Sequence, residues 1–173
     1  MRSVLPARSL RAAGSFHGGR KMVHLRPVTK DNLDAVLALK VNEHQTRFVS
    51  SVAESMAQAY VYADTAFPFA VEHDGDTVGF IMMGYYEEKH YYTLWKLLID
   101  RRFQGMGYGR KALELGVAFL RERFGVREVY TGVLPDNHAA KSLYQSVGFE
   151  ETGLFENGMQ ELRLTVPPAV LSR

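Results

Sequence analysis

The sequence predicts an α+β fold of three layers: a mixed, mostly antiparallel sheet of six to seven strands with helices on both faces. Three observations carry this reading. The hydrophobic period switches repeatedly between two and 3.6 along the chain. Asp74-Gly75 separates two apolar runs and reads as a tight hairpin turn, with a second strand pair placed around Glu156-Asn157-Gly158. The elements fall in the order strand, two helices, three strands, helix, strand, helix, two strands, for which a sheet covered on both faces is the economical packing.

Residues His24–Val28 read as a short strand that ends at a proline. Thr29 offers a hydroxyl cap for a helix bearing Leu33, Val36, Leu37 and Val41. Ser51 and Glu54 form an S-x-x-E capping box before a helix carrying Val52, Met56, Ala59 and Tyr60, and Pro68 is expected to end that region. Phe69–Glu72, Thr77–Tyr85 and Tyr91–Asp100 read as three strands. From Tyr108 to Phe124 the positions Ala112, Leu113, Leu115, Gly116, Phe119 and Leu120 form a helical stripe. Glu128–Val133 returns to strand, and Asn137–Val147 is a short helix closed by Gly148. Phe149–Phe155 and Met159–Val166 form the last strand pair, after which Pro167 and Pro168 end the ordered chain.

The 173 residues suit one domain over residues 22–168, with a tail at 169–173. No apolar run reaches the length of a membrane-spanning helix. The chain has no cysteine, which excludes disulfides, thiolate metal sites and a cysteine nucleophile, and no metal site is expected. The net charge of +2 is misleading: Arg2, Arg8, Arg11, Arg20 and Lys21 sit in an acid-free leader. Without those five, 16 basic residues face 19 acidic ones, so the remainder is mildly acidic and shows no nucleic-acid footprint. Residues 1–21 lack any apolar periodicity. They read as a disordered extension or leader, with an organelle transit peptide as the alternative, and a chain starting at Met22 should keep its activity.

The strongest chemical signal is Gln104-Gly105-Met106-Gly107-Tyr108-Gly109, between a strand and a helix. Glycines at alternate positions allow a tight turn and close backbone approach to a ligand. The unpaired N–H groups and dipole of the helix start then suit a phosphate or pyrophosphate, and Arg110 adds charge at the rim. A dinucleotide fingerprint needs G-x-G-x-x-G in a first βα unit, and a Walker loop needs G-x-x-x-x-G-K-[ST]; the spacing here fits neither. Glycines selected for turn geometry alone are the other reading of this segment.

The segment Gln104-x-x-Gly107-x-Gly109 resembles the (R/Q)-x-x-G-x-(G/A) signature of the GNAT superfamily of N-acetyltransferases, and Asn137-x-x-Ala140-x-x-x-Tyr144-x-x-x-Gly148-Phe149 is similar to a second motif of the same family. The likeness spans about Met22 to Val166. It implies a GNAT fold and acetyl-CoA as cosubstrate. It further implies that backbone amides from Gly105 through Met106, Gly107, Tyr108 and Gly109 to Arg110, preceded by Gln104, hold the pyrophosphate. By the same resemblance Leu97, Leu98 and Ile99 pair with the pantetheine arm where their strand splays from Glu128–Val133, Asn137 hydrogen-bonds that arm, and Tyr144 protonates the departing thiolate.

Independent of the family, an amine must be neutral to attack a thioester, and an alkylammonium has a pKa of about 10. A base or desolvation must therefore assist. Tyr144 lies seven residues after Asn137, two helical turns on, so the two share a helix face. Packing of an aromatic in the core is the other reading of Tyr144. For the base, Trp95 stands where some relatives carry a glutamate, leaving Glu72, Glu87, Glu88, His90 or water.

Around Arg47–Val49, Ser55–Tyr60 and Leu94–Asp100 the chain is most similar to bacterial spermine/spermidine acetyltransferases of the Blt and Pai types. Glu43, Glu54, Glu87 and Glu88 are the carboxylates that could hold ammonium groups beside an aromatic wall. A solvated surface position, or for Glu54 a helix cap, is the alternative for each. The expected activity is transfer of an acetyl group to a primary amine, with a polyamine as acceptor, in a ternary complex. Another amine (an aminoglycoside, an amino acid, a protein N-terminus) or a non-catalytic CoA-binding protein are the competing readings. A cytoplasmic enzyme acting on a small molecule is expected, with a homodimer compatible with the family.

Overall fold

The computed structural model describes residues 22–168. The expectations for residues 1–21 and 169–173 lie outside the described residues. Strand β1 (Val23–Pro27) leads into α1 (Leu33–Leu37), a 3-10 turn (Glu43–Gln45) and α2 (Val52–Val61). A meander follows: β2 (Ala66–His73), β3 (Asp76–Tyr86) and β4 (Tyr91–Ile99). Then come α3 (Tyr108–Phe124), β5 (Glu128–Val133), α4 (His138–Val147), β6 (Glu150–Glu156) and β7 (Met159–Thr165). The seven strands form one sheet in the order β1-β2-β3-β4-β5-β7-β6, antiparallel throughout except between β4 and β5.

Strand alternation divides the core between two faces. On β3, Ile81 and Met83 join Leu113, Leu120 and Phe119 of α3, whereas Phe80 and Met82 join Val36 of α1 and Val52 and Ala59 of α2. All four β3 side chains are almost fully buried, and each such side chain contributes about 1.5–3 kcal/mol of hydrophobic stabilisation. The larger cluster lies under α3 and α4, the smaller under α1 and α2.

Local chemistry accounts for most boundaries. Asp74 and Gly75 both have positive φ (51° and 88°), as a two-residue hairpin turn requires. Ser51 accepts from the Glu54 N–H, and the Glu54 carboxylate accepts from the Ser51 N–H at 2.8 Å, completing the expected capping box. This bond and that from the Ser51 hydroxyl hold the Glu54 carboxyl below its ordinary value.

Three expectations need correction. The first helix is only five residues long, and Val41 lies beyond it. Its regular span follows Asn32, which makes no side-chain cap; the capping occurs a turn earlier, where the Thr29 hydroxyl accepts from Asp31 and Asn32 Oδ1 accepts from the Thr29 N–H. After Leu37 the chain is drawn to the end of β4: the Lys40 N–H donates to Asp100 Oδ2 and the Arg101 N–H to the Lys40 carbonyl. Pro68 does not end the region before the meander but sits inside β2. It lies one residue past the last β1 pair, Pro27↔Phe69, where a missing N–H is tolerated. Asp100 falls just after β4 rather than in it, because its buried carboxylate closes the following turn by accepting from the Arg102 backbone and side chain.

Candidate active site

The site is built on a defect in the sheet. Strands β4 and β5 share a single parallel pair, Thr93↔Tyr130, and beyond it they part. Strand β4 keeps its β3 partners across Leu97, Leu98 and Ile99, but their other backbone edge has no β5 pairing among the described residues. The β3–β4 register skips Trp95, since Met82 faces Lys96 and Met83 faces Leu94. This bulge redirects the strand at the mouth of the gap. Gly84 makes room for it: a Cβ there would stand 2.6 Å from the Trp95 ring.

On one side of the gap lies a cleft of about 1420 Å³. Leu97, Leu98 and Ile99 form one wall, and Gln104, Gly105, Gly107, Tyr108, Gly109 and Arg110 form its end. Gly105 and Gly107 have φ of 76° and 84°, and a Cβ on either would meet open space. They are therefore glycines because of backbone conformation, and the space beyond them is clear for a ligand. Gly107 precedes α3 without any side-chain cap, so the first N–H groups of a 17-residue helix face the cleft unsatisfied. Arg110 is exposed, with Nε tied to Glu114 at 3.1 Å.

The side chains of two loop residues are used away from the cleft, which leaves the expectation for the backbone amides as it stood. Met106 is 64% exposed and does not line the cleft. Gln104 lines it, but its side-chain amide is committed elsewhere. Nε2 donates to the Ile99 carbonyl (3.0 Å) and to Gln45 Oε1 (2.9 Å), while Oε1 accepts from Asn42 (3.2 Å). Gln104 thus clamps the loop to the end of β4 and to the 3-10 turn.

Asn137 and Tyr144, on α4 and its cap, both line the same cleft. Asn137 Oδ1 accepts from the Ala140 N–H and caps the helix, leaving its NH₂ as the group available to a ligand. Tyr144 is buried among the core residues, 6.0 Å from the Phe149 ring. Burial pushes its phenol up to about 12, with the Thr131 hydroxyl lowering it in part. A phenol raised in the folded state contributes stability that is whole below the unfolded pKa of about 10 and is lost as pH climbs through about 12. We expect Tyr144→Phe to lack roughly 2–3 kcal/mol of the wild-type loss in unfolding free energy between pH 10 and 12, measured by urea denaturation. Equal slopes in the two proteins would show that the phenol is not raised.

A second cavity, of about 390 Å³, opens on the other side of the gap. Trp95, Lys96, Thr131, Gly132 and Met159 line both spaces, so the two meet at the β4–β5 parting. The second cavity has aromatic walls, including Tyr62, Tyr85, Tyr86 and Tyr91, and four carboxylates: Glu87, Glu88, Glu156 and Glu161. Tyr91 stacks on Tyr130 at 4.1 Å and donates to Glu161 at 3.2 Å. Burial first, then the Glu161 charge, raises its phenol to about 12, so it remains a donor at neutral pH. Lys96 carries its ammonium to Ser50 Oγ at 3.1 Å, and burial lowers its pKa.

The four glutamates named from sequence do not converge. Glu87 and Glu88 line the second cavity, Glu88 accepting from Tyr86 at 3.0 Å, whereas Glu43 and Glu54 line the first. Among the proposed proton acceptors, Glu72 pairs with Arg26 at 3.6 Å and His90 lies near the Tyr85 hydroxyl; neither lines either space. Sequence reasoning missed Glu156 and Glu161. They lie 70 or so residues from Tyr91, on the other strand pair, and the visible signal was the tyrosines flanking Glu87-Glu88-Lys89-His90.

A splayed β4–β5 pair beside an uncapped glycine-led helix is the architecture of an acyltransferase that takes its donor between two strands. Residues 22–149 match the model of the acetyltransferase (GNAT) family. The chain belongs to that family and is an N-acetyltransferase that uses acetyl-CoA. It is 31% identical over 140 residues to a spermine/spermidine N(1)-acetyltransferase of Bacillus subtilis, covering 76% of this chain and 90% of the relative. A shorter likeness, 30% over 93 residues, covers 48% of this chain and 56% of an N-alpha-acetyltransferase of Sulfurisphaera tokodaii. Among solved structures, the GNAT domain of an acetyltransferase from S. lividans superposes with a TM-score of 0.69 at 18% identity, covering 83% of this chain and 90% of that one. A spermidine N-acetyltransferase from Vibrio cholerae, solved with CoA and spermine, superposes with a TM-score of 0.66 at 18% identity, covering 83% and 95%. Among the described residues no helix is long and apolar enough to cross a membrane.

Proposed function

We propose that this enzyme acetylates a polyamine, spermidine or spermine, with donor and acceptor bound together on opposite sides of the β4–β5 gap. The observation that carries the reading is the second cavity: carboxylates and tyrosine faces around a space that meets the donor cleft at Trp95, Thr131 and Gly132. Ammonium groups favour both carboxylates and aromatic faces. The likeness to the Bacillus subtilis spermine/spermidine enzyme supports the same acceptor.

Acetyl-CoA supplies an activated acetyl thioester. The N–H groups from Gly105 to Arg110 hold its pyrophosphate, the β4 backbone edge at Leu97–Ile99 that lacks β5 pairing (apart from the Ile99 carbonyl, which Gln104 holds) pairs with the pantetheine arm, and the Asn137 NH₂ donates to that arm. Tyr144 gives its proton to the leaving sulfur. The acceptor lies in the tyrosine cavity, where Glu87, Glu88 or water takes the proton of the reacting ammonium. Carboxylates farther along the cavity hold the remaining charge of the polyamine and so fix the distance to the reacting nitrogen.

Spermidine should have a kcat/KM about tenfold above that of a monoamine of similar reach, because two partly desolvated ion pairs near the top of the usual range together add between about 1 and 2 kcal/mol, on the order of tenfold. The preference should shrink as salt rises from 0.05 to 0.5 M, where screening shortens the Debye length to a few ångströms. A steady-state assay of CoA release checks both. Robust turnover of another amine with no polyamine activity would keep the acetyltransferase and remove the acceptor.

A further inference from the structure

The acceptor cavity already contains an ammonium. Lys89, on the turn between β3 and β4, reaches across to the β6–β7 hairpin, where Nζ hydrogen-bonds Glu156 Oε2 and stands 3.7 Å from Glu161 Oε2. The same Nζ lies 5.8 Å from the centroid of the Tyr91 ring. Lys89, Tyr91, Glu156 and Glu161 all line this one cavity. Two carboxylates and an aromatic face around an alkylammonium are the groups that would recognise one end of a polyamine. The lysine side chain is itself a primary ammonium on a four-carbon stem, close in size to an aminobutyl arm of such a ligand. Hydrogen bonding to Glu156 raises the Lys89 pKa above its ordinary value, so the group stays charged. Its contribution to fold stability is small, because Glu156 is half exposed.

We propose that Lys89 is a tethered surrogate for the distal ammonium of the acceptor. It occupies the Glu156–Glu161 subsite in the resting enzyme and must be displaced before a polyamine can seat both ends. This rests on the polyamine reading above. The consequence is a specificity control. A short monoamine leaves Lys89 in place and gains nothing from the subsite. A polyamine competes with a local ammonium whose effective concentration is set by its tether. If Lys89 holds the carboxylates nine-tenths of the time, the apparent KM for a polyamine is raised about tenfold over its intrinsic value. The bridge also ties the two hairpin tips together across the cavity, so its opening accompanies acceptor entry.

The test is the ratio of KM for spermidine to KM for a monoamine of similar reach, measured in wild type, Lys89→Met, Lys89→Arg and Glu161→Gln enzymes, each checked for its melting temperature. Lys89→Met should lower the ratio about tenfold, Lys89→Arg should keep it near the wild-type value because the charge remains, and Glu161→Gln should raise it. An unchanged or raised ratio in Lys89→Met, with spermidine still a substrate of the wild type, overturns the surrogate role and leaves the polyamine reading standing. Absence of spermidine turnover in all four enzymes, with a monoamine still acetylated, overturns both. Should Lys89→Met fail to fold, Lys89→Gln, one atom shorter and polar, removes the charge with the same expected direction.

Discussion

A Gly107→Glu enzyme should fold and fail to bind CoA. Gly107 lies at φ 84° with open space beyond its missing Cβ, directly before the uncapped start of α3. Any other residue pays the left-handed conformation, about 1–2 kcal/mol. Glutamate also puts a carboxylate where the helix start would attract an anion. The affinity for CoA should fall at least about 100-fold, equivalent to about 2.7 kcal/mol. Gly107→Ala separates the two effects, since it carries the strain without the charge, and it should weaken CoA binding far less. Calorimetry on both variants, with circular dichroism to check folding, reads the result. An unchanged affinity in a folded Gly107→Glu protein would move the pyrophosphate site elsewhere.

The Tyr144→Phe enzyme should keep its KM and lose about 100-fold in kcat, the low end of the usual range for general-acid catalysis. The low end follows from the site. A phenol raised to about 12 is a far weaker acid than a thiol at about 8.5, so the proton can pass only as negative charge builds on sulfur. The same raised value keeps the proton on Tyr144 through pH 10, so the wild-type alkaline limb below that pH belongs to other groups. Phenylalanine preserves the ring beside Phe149, which separates the proton from the packing. Equal kcat in the two enzymes at several pH values would assign Tyr144 to the core alone, with the thiolate leaving unaided.

The cleft proposed for the donor was legible because its parts are local. The glycine spacing, the helix start and the Asn137–Tyr144 pair each lie within one short segment, and the structure sets all of them around one cleft. What the motif could not tell was how each side chain is used. Met106 lies within the loop yet its side chain faces solvent, and Gln104 holds the loop through partners at Asn42 and Gln45 that only the fold brings near. The cavity proposed for the acceptor was only half legible, because it is assembled from hairpin tips. Glu87 and Glu88 share a turn with Lys89, but Glu156 and Glu161 come from the far strand pair. Glu54 illustrates the converse. Its place in S-x-x-E announced a helix cap, and the structure gives it that cap although it also borders the first cleft. In the fold, Pro68 misled because a proline reads as a stop unless one knows that the neighbouring strand has already ended.

The lone Thr93–Tyr130 rung makes the sheet two leaves, β1 to β4 and β5 to β7, whose backbones pair at a single position and are otherwise held by side chains such as Tyr91 and Lys89. In a continuous sheet, strand pairing would melt the leaves together; here the helices, the core beneath them and the side-chain bridges between the hairpin tips must supply that cooperativity. The β5–β7 leaf is therefore positioned to loosen before the rest, as a separate foldon. A donor seated in the parting, as proposed, would stand in for the missing rungs and fasten the leaves. Occupancy should thus do more than raise the melting temperature. It should sharpen the transition and merge the amide exchange of the two leaves into one opening event.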